Sequence, residues 1–134
     1  MISDALIAEI DIEDLPGILR ELVELMGLPA TLKLVDHYGG VRLYVPVKYD
    51  SEHVLVRQIG APAATILIEH YGGEEHFDIP KAERALRAVR DRRIRAEYAF
   101  KSRRRLAREY DLTERQIGNI VAGVEWDDGQ ESLF

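Results

Sequence analysis

The sequence predicts a mainly α protein with short β-strands. In this α+β fold a duplicated N-terminal helix–strand region precedes a purely helical region built on a helix-turn-helix. Three observations predict it. A fourteen-residue segment recurs at an offset of 33 residues, which indicates one structural unit used twice. Apolar residues elsewhere recur every three to four positions, the period of an amphipathic helix. Each repeat ends in Gly-Gly, a short extended run and a proline, the punctuation of a helix stop and a brief strand.

The repeat runs from Gly27 to Gly40 and again from Gly60 to Gly73, with eight of fourteen positions identical. The shared residues are Gly27/Gly60, Pro29/Pro62, Ala30/Ala63, Leu34/Leu67, His37/His70, Tyr38/Tyr71 and the two Gly-Gly pairs. Pro29 and Pro62 suit a first helical turn, where a missing N–H costs nothing. Leu32, Leu34 and Val35, and equally Ile66, Leu67 and Ile68, supply the buried side. Gly39 and Gly72 are expected to take the left-handed position that stops the helix. Short strands follow at Leu43-Tyr44-Val45-Pro46 and Phe77-Asp78-Ile79-Pro80. A strand of about four residues is not stable alone, so each must pair with its copy or with the same strand of a second chain. On that ground Leu43, Tyr44, Val45, Phe77 and Ile79 are candidate dimerisation residues, and a homodimer is expected.

Flanking elements complete the N-terminal region. Asp14 to Met26 reads as an amphipathic helix with Ile18, Leu22 and Leu25 on one stripe. Asp50-Ser51 is expected to open a short helix carrying Val54, Leu55 and Ile59 and ending at Gly60. Residues 1–13 fit either a helix or an arm. The chain thus divides into a dimerisation region, 1–80, with repeats at 27–46 and 60–80; a helical domain, 81–125; and an acidic tail, 126–134, expected to be loose.

The chain has 134 residues, 46% of them hydrophobic and 31% charged, enough for a packed core. Cysteine is absent, which excludes disulfides, thiolate metal sites and a cysteine nucleophile. No apolar run reaches the roughly 20 residues of a membrane span. The first residues lack the pattern of a signal peptide, so a cytoplasmic protein is expected. The net charge of −6 is unevenly spread. From Lys81 to Arg115, thirteen Lys/Arg stand against six Asp/Glu, a balance of +7, and the rest of the chain carries −13. Such a split points to a polyanion-binding segment joined to something else. The plainer alternative is a solvated helix face carrying ion pairs.

Within the basic segment, Lys81 to about Phe100 reads as an Arg-rich helix with Leu86, Val89, Ile94 and Tyr98 as its apolar positions. Arg103 to Ala122 then fits a helix-turn-helix. Leu106 and Ala107 face inward, and the small Ala lets a second helix cross closely. Tyr110-Asp111-Leu112 forms the turn, with Asp111 among the few residue types that tolerate left-handed backbone. Leu112 plugs the core, Thr113 and Gln116 form a capping box, and Ile117 and Ile120 anchor the second helix.

The outward face of that helix holds Glu114, Arg115, Gly118, Asn119 and Ala122. A major groove about 12 Å wide admits a helix, where Arg reads guanine and Asn or Gln reads adenine. Thr113, Glu114, Arg115, Gln116 and Asn119 are therefore candidates for base contact near the helix N-terminus. Gly118 leaves room for close approach. Arg93, Arg95, Lys101, Ser102, Arg103, Arg104 and Arg105 are candidates for phosphate contact. The partner so implied is double-stranded DNA.

At this point the chain resembles a known family. Tyr71-Gly72-Gly73, Phe77-Asp78-Ile79-Pro80, the Arg-rich helix and Leu106-Ala107-x-x-Tyr110-x-Leu112-Thr113-x-x-x-Ile117 look like the Mor (middle operon regulator) transcription activators of Mu-like bacteriophages. The resemblance covers Ala61 to Gly123, with the first repeat as an extra copy. It implies a dimer made by helices and paired strands, a helix-turn-helix on each chain, a dyad-symmetric promoter site and contact with RNA polymerase. Asp111 departs from the usual turn Gly, and Phe100-Lys101-Ser102 stands where the family has a Gly/Asn-containing turn.

Other chemistries find less support. Asp36-His37-Tyr38 and Glu69-His70-Tyr71, with His53 and His76, invite a metal hypothesis. Adjacent helical residues point about 100° apart, however, and a His before a helix-ending Gly serves the last carbonyls and the dipole. No metal and no cofactor are expected. The sequence holds no nucleophile elbow, Walker loop or HExxH pattern, so no enzyme is expected. Trp126 and Phe134 fit either a partner-binding peptide or local packing. The alternative function is an oligomerisation or protein-interaction module that does not bind DNA.

Overall fold

A computed structural model describes residues 3–74 and 77–122, so Trp126, Phe134, His76 and the acidic tail lie outside the described residues. The described chain is mostly helical with one two-stranded antiparallel sheet. It forms two compact units, Met1–Leu86 and Arg87–Phe134.

The first unit opens with α1 (Asp4–Glu9), started by Ser3 Oγ accepting from the Leu6 amide, and a 3-10 turn at Ile12–Asp14. Then come α2 (Gly17–Met26), α3 (Leu28–Tyr38) and β1 (Val41–Arg42), followed by α4 (Val54–Ile59), α5 (Ala61–Tyr71) and β2 (Asp78–Ile79). Helix α2 starts at Gly17 rather than the expected Asp14, because Pro16 sits in extended conformation as its N-cap. Its buried residues are Leu19 and Leu22, and Ile18 and Leu25 of the expected stripe are only half-buried. The helix packs on both α3 and α5, so its inward face is set by two neighbours. Helix α4 starts at Val54, capped by His53, whose Nδ1 accepts from the Leu55 amide at 3.1 Å. Asp50 instead closes its own turn by accepting from Glu52.

The duplication is structural as well as sequential. Gly27 (φ 90°, ψ 159°) and Gly60 (φ 93°, ψ 154°) make the same positive-φ corner between paired helices. Pro29 and Pro62 lie in the first turns of α3 and α5, as expected. The helix stops differ from expectation. Gly39 and Gly72 have φ of −57°, while Gly40 and Gly73 carry the positive φ. The first glycine of each pair is needed for space: a Cβ at Gly72 would lie 2.6 Å from the Ile68 carbonyl and 2.8 Å from that of Pro46.

The two copies meet through their strands. Strand β1 pairs antiparallel with β2, Val41 opposite Ile79 and Arg42 opposite Asp78. Regular pairing thus begins before the expected Leu43, although the Leu43 amide still donates to Phe77 O at 2.8 Å. Gly40 N donates to Ile79 O, and in the other copy Gly73 N donates to Val45 O. Tyr38 at the end of α3 donates to Gln58 of α4 at 2.7 Å, and Tyr71 at the end of α5 donates to Glu21 of α2. Each repeat tyrosine therefore crosses to the leading helix of the other copy. Burial, then the Glu21 hydrogen bond, pushes the Tyr71 hydroxyl up to about 12. Its ring stacks on Phe77 with centroids 4.5 Å apart.

This arrangement removes the basis on which strands called for a second chain. Leu43, Val45, Phe77 and Ile79, offered above for an interface, are buried in the chain's own core. Of the five dimerisation candidates only Tyr44 is exposed, at 62%.

Helix α6 (Glu83–Glu97) begins in the first unit and runs into the second, where α7 (Arg103–Tyr110) and α8 (Glu114–Val121) follow. Ile94, Leu106, Ala107, Ile117 and Val121 are the buried core of the second unit, with Tyr98, Tyr110, Leu112 and Ile120 packed around them. Val121 is a core residue the sequence reading passed over. Helix α6 ends at Glu97, not Phe100, because the Phe100 and Lys101 amides both turn back to the Glu97 carbonyl and Ser102 caps the next helix.

Candidate nucleic-acid interface

Helices α7 and α8 pack as a helix-turn-helix whose joint is held by local chemistry. Asp111 adopts φ 58°, ψ 47°, the left-handed corner expected of it. Its short polar side chain makes that conformation affordable where a branched one would not. Thr113 Oγ1 accepts from the Gln116 amide at 3.0 Å, and Gln116 Oε1 accepts from the Thr113 amide at 2.9 Å. This complete capping box fixes where α8 begins.

The five base-contact candidates separate into two groups. Thr113 and Gln116 are engaged with one another, leaving the Gln116 amide NH2 as their spare donor. Glu114, Arg115 and Asn119 are exposed and bond to none of the described residues. Arg115 and Asn119 stand four residues apart, hence on one face of α8. Ile117 and Val121 occupy the opposite, buried side.

The phosphate-contact candidates separate as well. Lys101 bridges Glu97 at 2.9 Å and Glu109 at 2.8 Å, and Arg105 also pairs with Glu109. The Lys101 bonds hold the carboxyls of Glu97 and Glu109 below their ordinary range, aided by Tyr110 at Glu97 and Arg105 at Glu109. Glu109 and Glu97 in turn raise the Lys101 ammonium. Tyr110 donates to Glu97 at 2.8 Å, and burial followed by that bond raises its hydroxyl. This network ties α6 to α7 and spends two of the expected anion-binding cations. Arg95 donates from Nε to the Ile120 carbonyl at 3.1 Å, which anchors the end of α8. Arg93 is also engaged. Ser102 caps α7 by accepting from Arg105 N at 3.1 Å. Arg103 and Arg104 are exposed and pair with no carboxylate among the described residues.

One cation went unnoticed in the sequence. Arg108 lines a shallow depression with Ser102, Arg104, Arg105 and Glu109. Its spacing of four from Arg104 was the available signal. The repeated histidines differ in their contacts. His70 Nδ1 lies 3.0 Å from the Ile66 carbonyl, as a helix-end His should, while His37 Nδ1 lies 3.5 Å from Gln58 Nε2. No group of three or more metal-ligating side chains gathers among the described residues.

A family model described as the Mor transcription activator family matches residues 47–131. The chain belongs to the Mor transcription activator family. The match takes in the second repeat, the Arg-rich helix and the helix-turn-helix, and leaves the first repeat outside. Mor proteins form a family of transcription activators rather than enzymes, and membership implies interaction with DNA. No curated protein and no solved structure matches the chain. No helix among the described residues is long and apolar enough to cross a membrane.

Proposed function

We propose that this Mor-family chain is a sequence-specific DNA-binding transcription activator that inserts α8 into the major groove. The observation carrying this reading is the exposed Arg115–Asn119 face of a capped helix, flanked by Arg103, Arg104 and Arg108, which pair with no carboxylate among the described residues. Arg and Asn are the residue types that read guanine and adenine edges bidentately. These arginines supply phosphate attraction without first breaking an ion pair to any described residue. Activation proceeds through contact with RNA polymerase at a promoter, as family membership leads one to expect.

The test is titration of duplex promoter DNA with the full chain at several salt concentrations. Contact with six phosphates gives a log–log salt slope near −5, at about −0.9 per phosphate. Binding that ignores salt, or no duplex binding, overturns the proposal.

We further propose a homodimer on a dyad-symmetric site. Its support is three exposed apolar residues, Val41 in β1 and Tyr44 and Val47 in the segment after it, which a second copy would cover. Light-scattering mass of the chain alone and on DNA tests it. If that row instead serves another protein while DNA is never bound, the interaction-module reading stands.

A further inference from the structure

Gly118 lies in the middle of α8, where glycine weakens a helix. Its absent side chain is filled from outside the helix. A Cβ built there would sit 3.1 Å from Arg103 Nη1, 3.5 Å from its Cζ and 3.9 Å from its Nε. The Nη1 edge of the Arg103 guanidinium therefore lies against α8 at the spot where a side chain would otherwise stand. Arg103 is the first residue of α7, and its stem runs beside the inward face that carries Leu106 and Ala107. Gly118 is three residues from Arg115 and four from Glu114, so the guanidinium arrives on the flank of the helix that carries both. It pairs with no carboxylate among the described residues.

We propose that Arg103 is a specificity-determining residue, delivered across Gly118 onto the reading face of α8, where it takes a guanine edge next to the base pair read by Arg115. The inference rests on α8 entering DNA and moves Arg103 from the phosphate-contact set to the base-contact set. The guanidinium is a planar fork matched to the O6 and N7 acceptors of guanine, which the lysine ammonium is not. Gly118 acts as a positioning residue: with no Cβ, it lets the fork lie close enough to share the groove with Arg115.

The experiment uses the full chain and a binding site selected from random duplexes by the unmodified protein. Affinities of Arg103→Ala, Arg103→Lys and Gly118→Ala are measured on that site and on its single-base-pair variants. The expected result is loss of preference at one base pair, about tenfold or more, in all three variants. Gly118→Ala keeps every charge and replaces a helix-weakening residue, so its melting temperature holds or rises while the preference is lost. Uniform weakening on every sequence by Arg103→Ala, with Arg103→Lys and Gly118→Ala behaving as the unmodified chain, makes Arg103 a phosphate contact and overturns the inference alone. Absence of duplex binding by the unmodified chain overturns the DNA-binding reading and this inference with it.

Discussion

The Gly40 amide donates to the carbonyl of Ile79 at 2.6 Å, joining the end of one repeat to the end of the other. Gly73 and Val45 make the corresponding bond at 2.8 Å. The sheet is thus closed by the two halves of one chain. Amide exchange at Leu43, which donates to Phe77 O between these two bonds, is expected to be slow and independent of protein concentration. Protection that disappears on dilution to the monomer would show that the pairing belongs to an assembly.

Gly72 is held between backbone atoms on two sides, the carbonyls of Ile68 and Pro46. Neither is the end of a flexible side chain, so a methyl group forces the strand off the helix. Gly72→Ala is expected to destabilise the N-terminal unit by about 1–3 kcal/mol, the usual cost of overpacking. Gly118→Ala, whose added methyl meets only a movable guanidinium, is the contrasting control. Equal denaturation midpoints for Gly72→Ala and the unmodified chain would refute this.

The capping box is open to a separate measurement. Thr113→Ala removes the oxygen that accepts from Gln116 N and is expected to cost about 1 kcal/mol in urea denaturation. Asp111→Val places a branched side chain at φ 58° and is expected to cost about 1–2 kcal/mol. A turn that tolerates valine there has a different backbone.

Acid is expected to loosen the helical unit through Glu97 and Glu109. Both carboxyls lie below the ordinary value of 4.5 in the fold, chiefly through their hydrogen bonds to Lys101. Their stabilisation is therefore present above that value and is lost as pH falls through the lowered folded-state range. Thermal melts of the full chain at pH 7 and below 4.5 should separate more for the unmodified chain than for a Glu97→Gln/Glu109→Gln variant. Parallel behaviour of the two would exclude the network as the cause.

On DNA, the free and spent cations should act differently. Arg104→Ala is expected to weaken binding to all sequences and shrink the salt slope by about 1. Asn119→Ala should instead cost about 1–3 kcal/mol at one base pair. Lys101→Ala should lower stability more than affinity, since Lys101 already answers two carboxylates. A mobility shift series at two salt concentrations distinguishes these outcomes.

By itself the sequence determined the local architecture. Proline in first turns, glycine before helices, Asp111 at the left-handed corner and the Thr113–Gln116 box are short-range effects, written within a few neighbouring residues. The repeat and the Arg115–Asn119 face were legible for the same reason. What only the tertiary structure decided involves residues far apart in the chain. Pairing of the two strands with each other is one such choice, for any antiparallel partner satisfies a strand's backbone. Which cations pair within the described fold is another, because Lys101 and Arg95 look like Arg104 in sequence until Glu109 and the Ile120 carbonyl are brought beside them. The seat of Arg103 on Gly118 is a third, set by the crossing of two helices that no local pattern encodes.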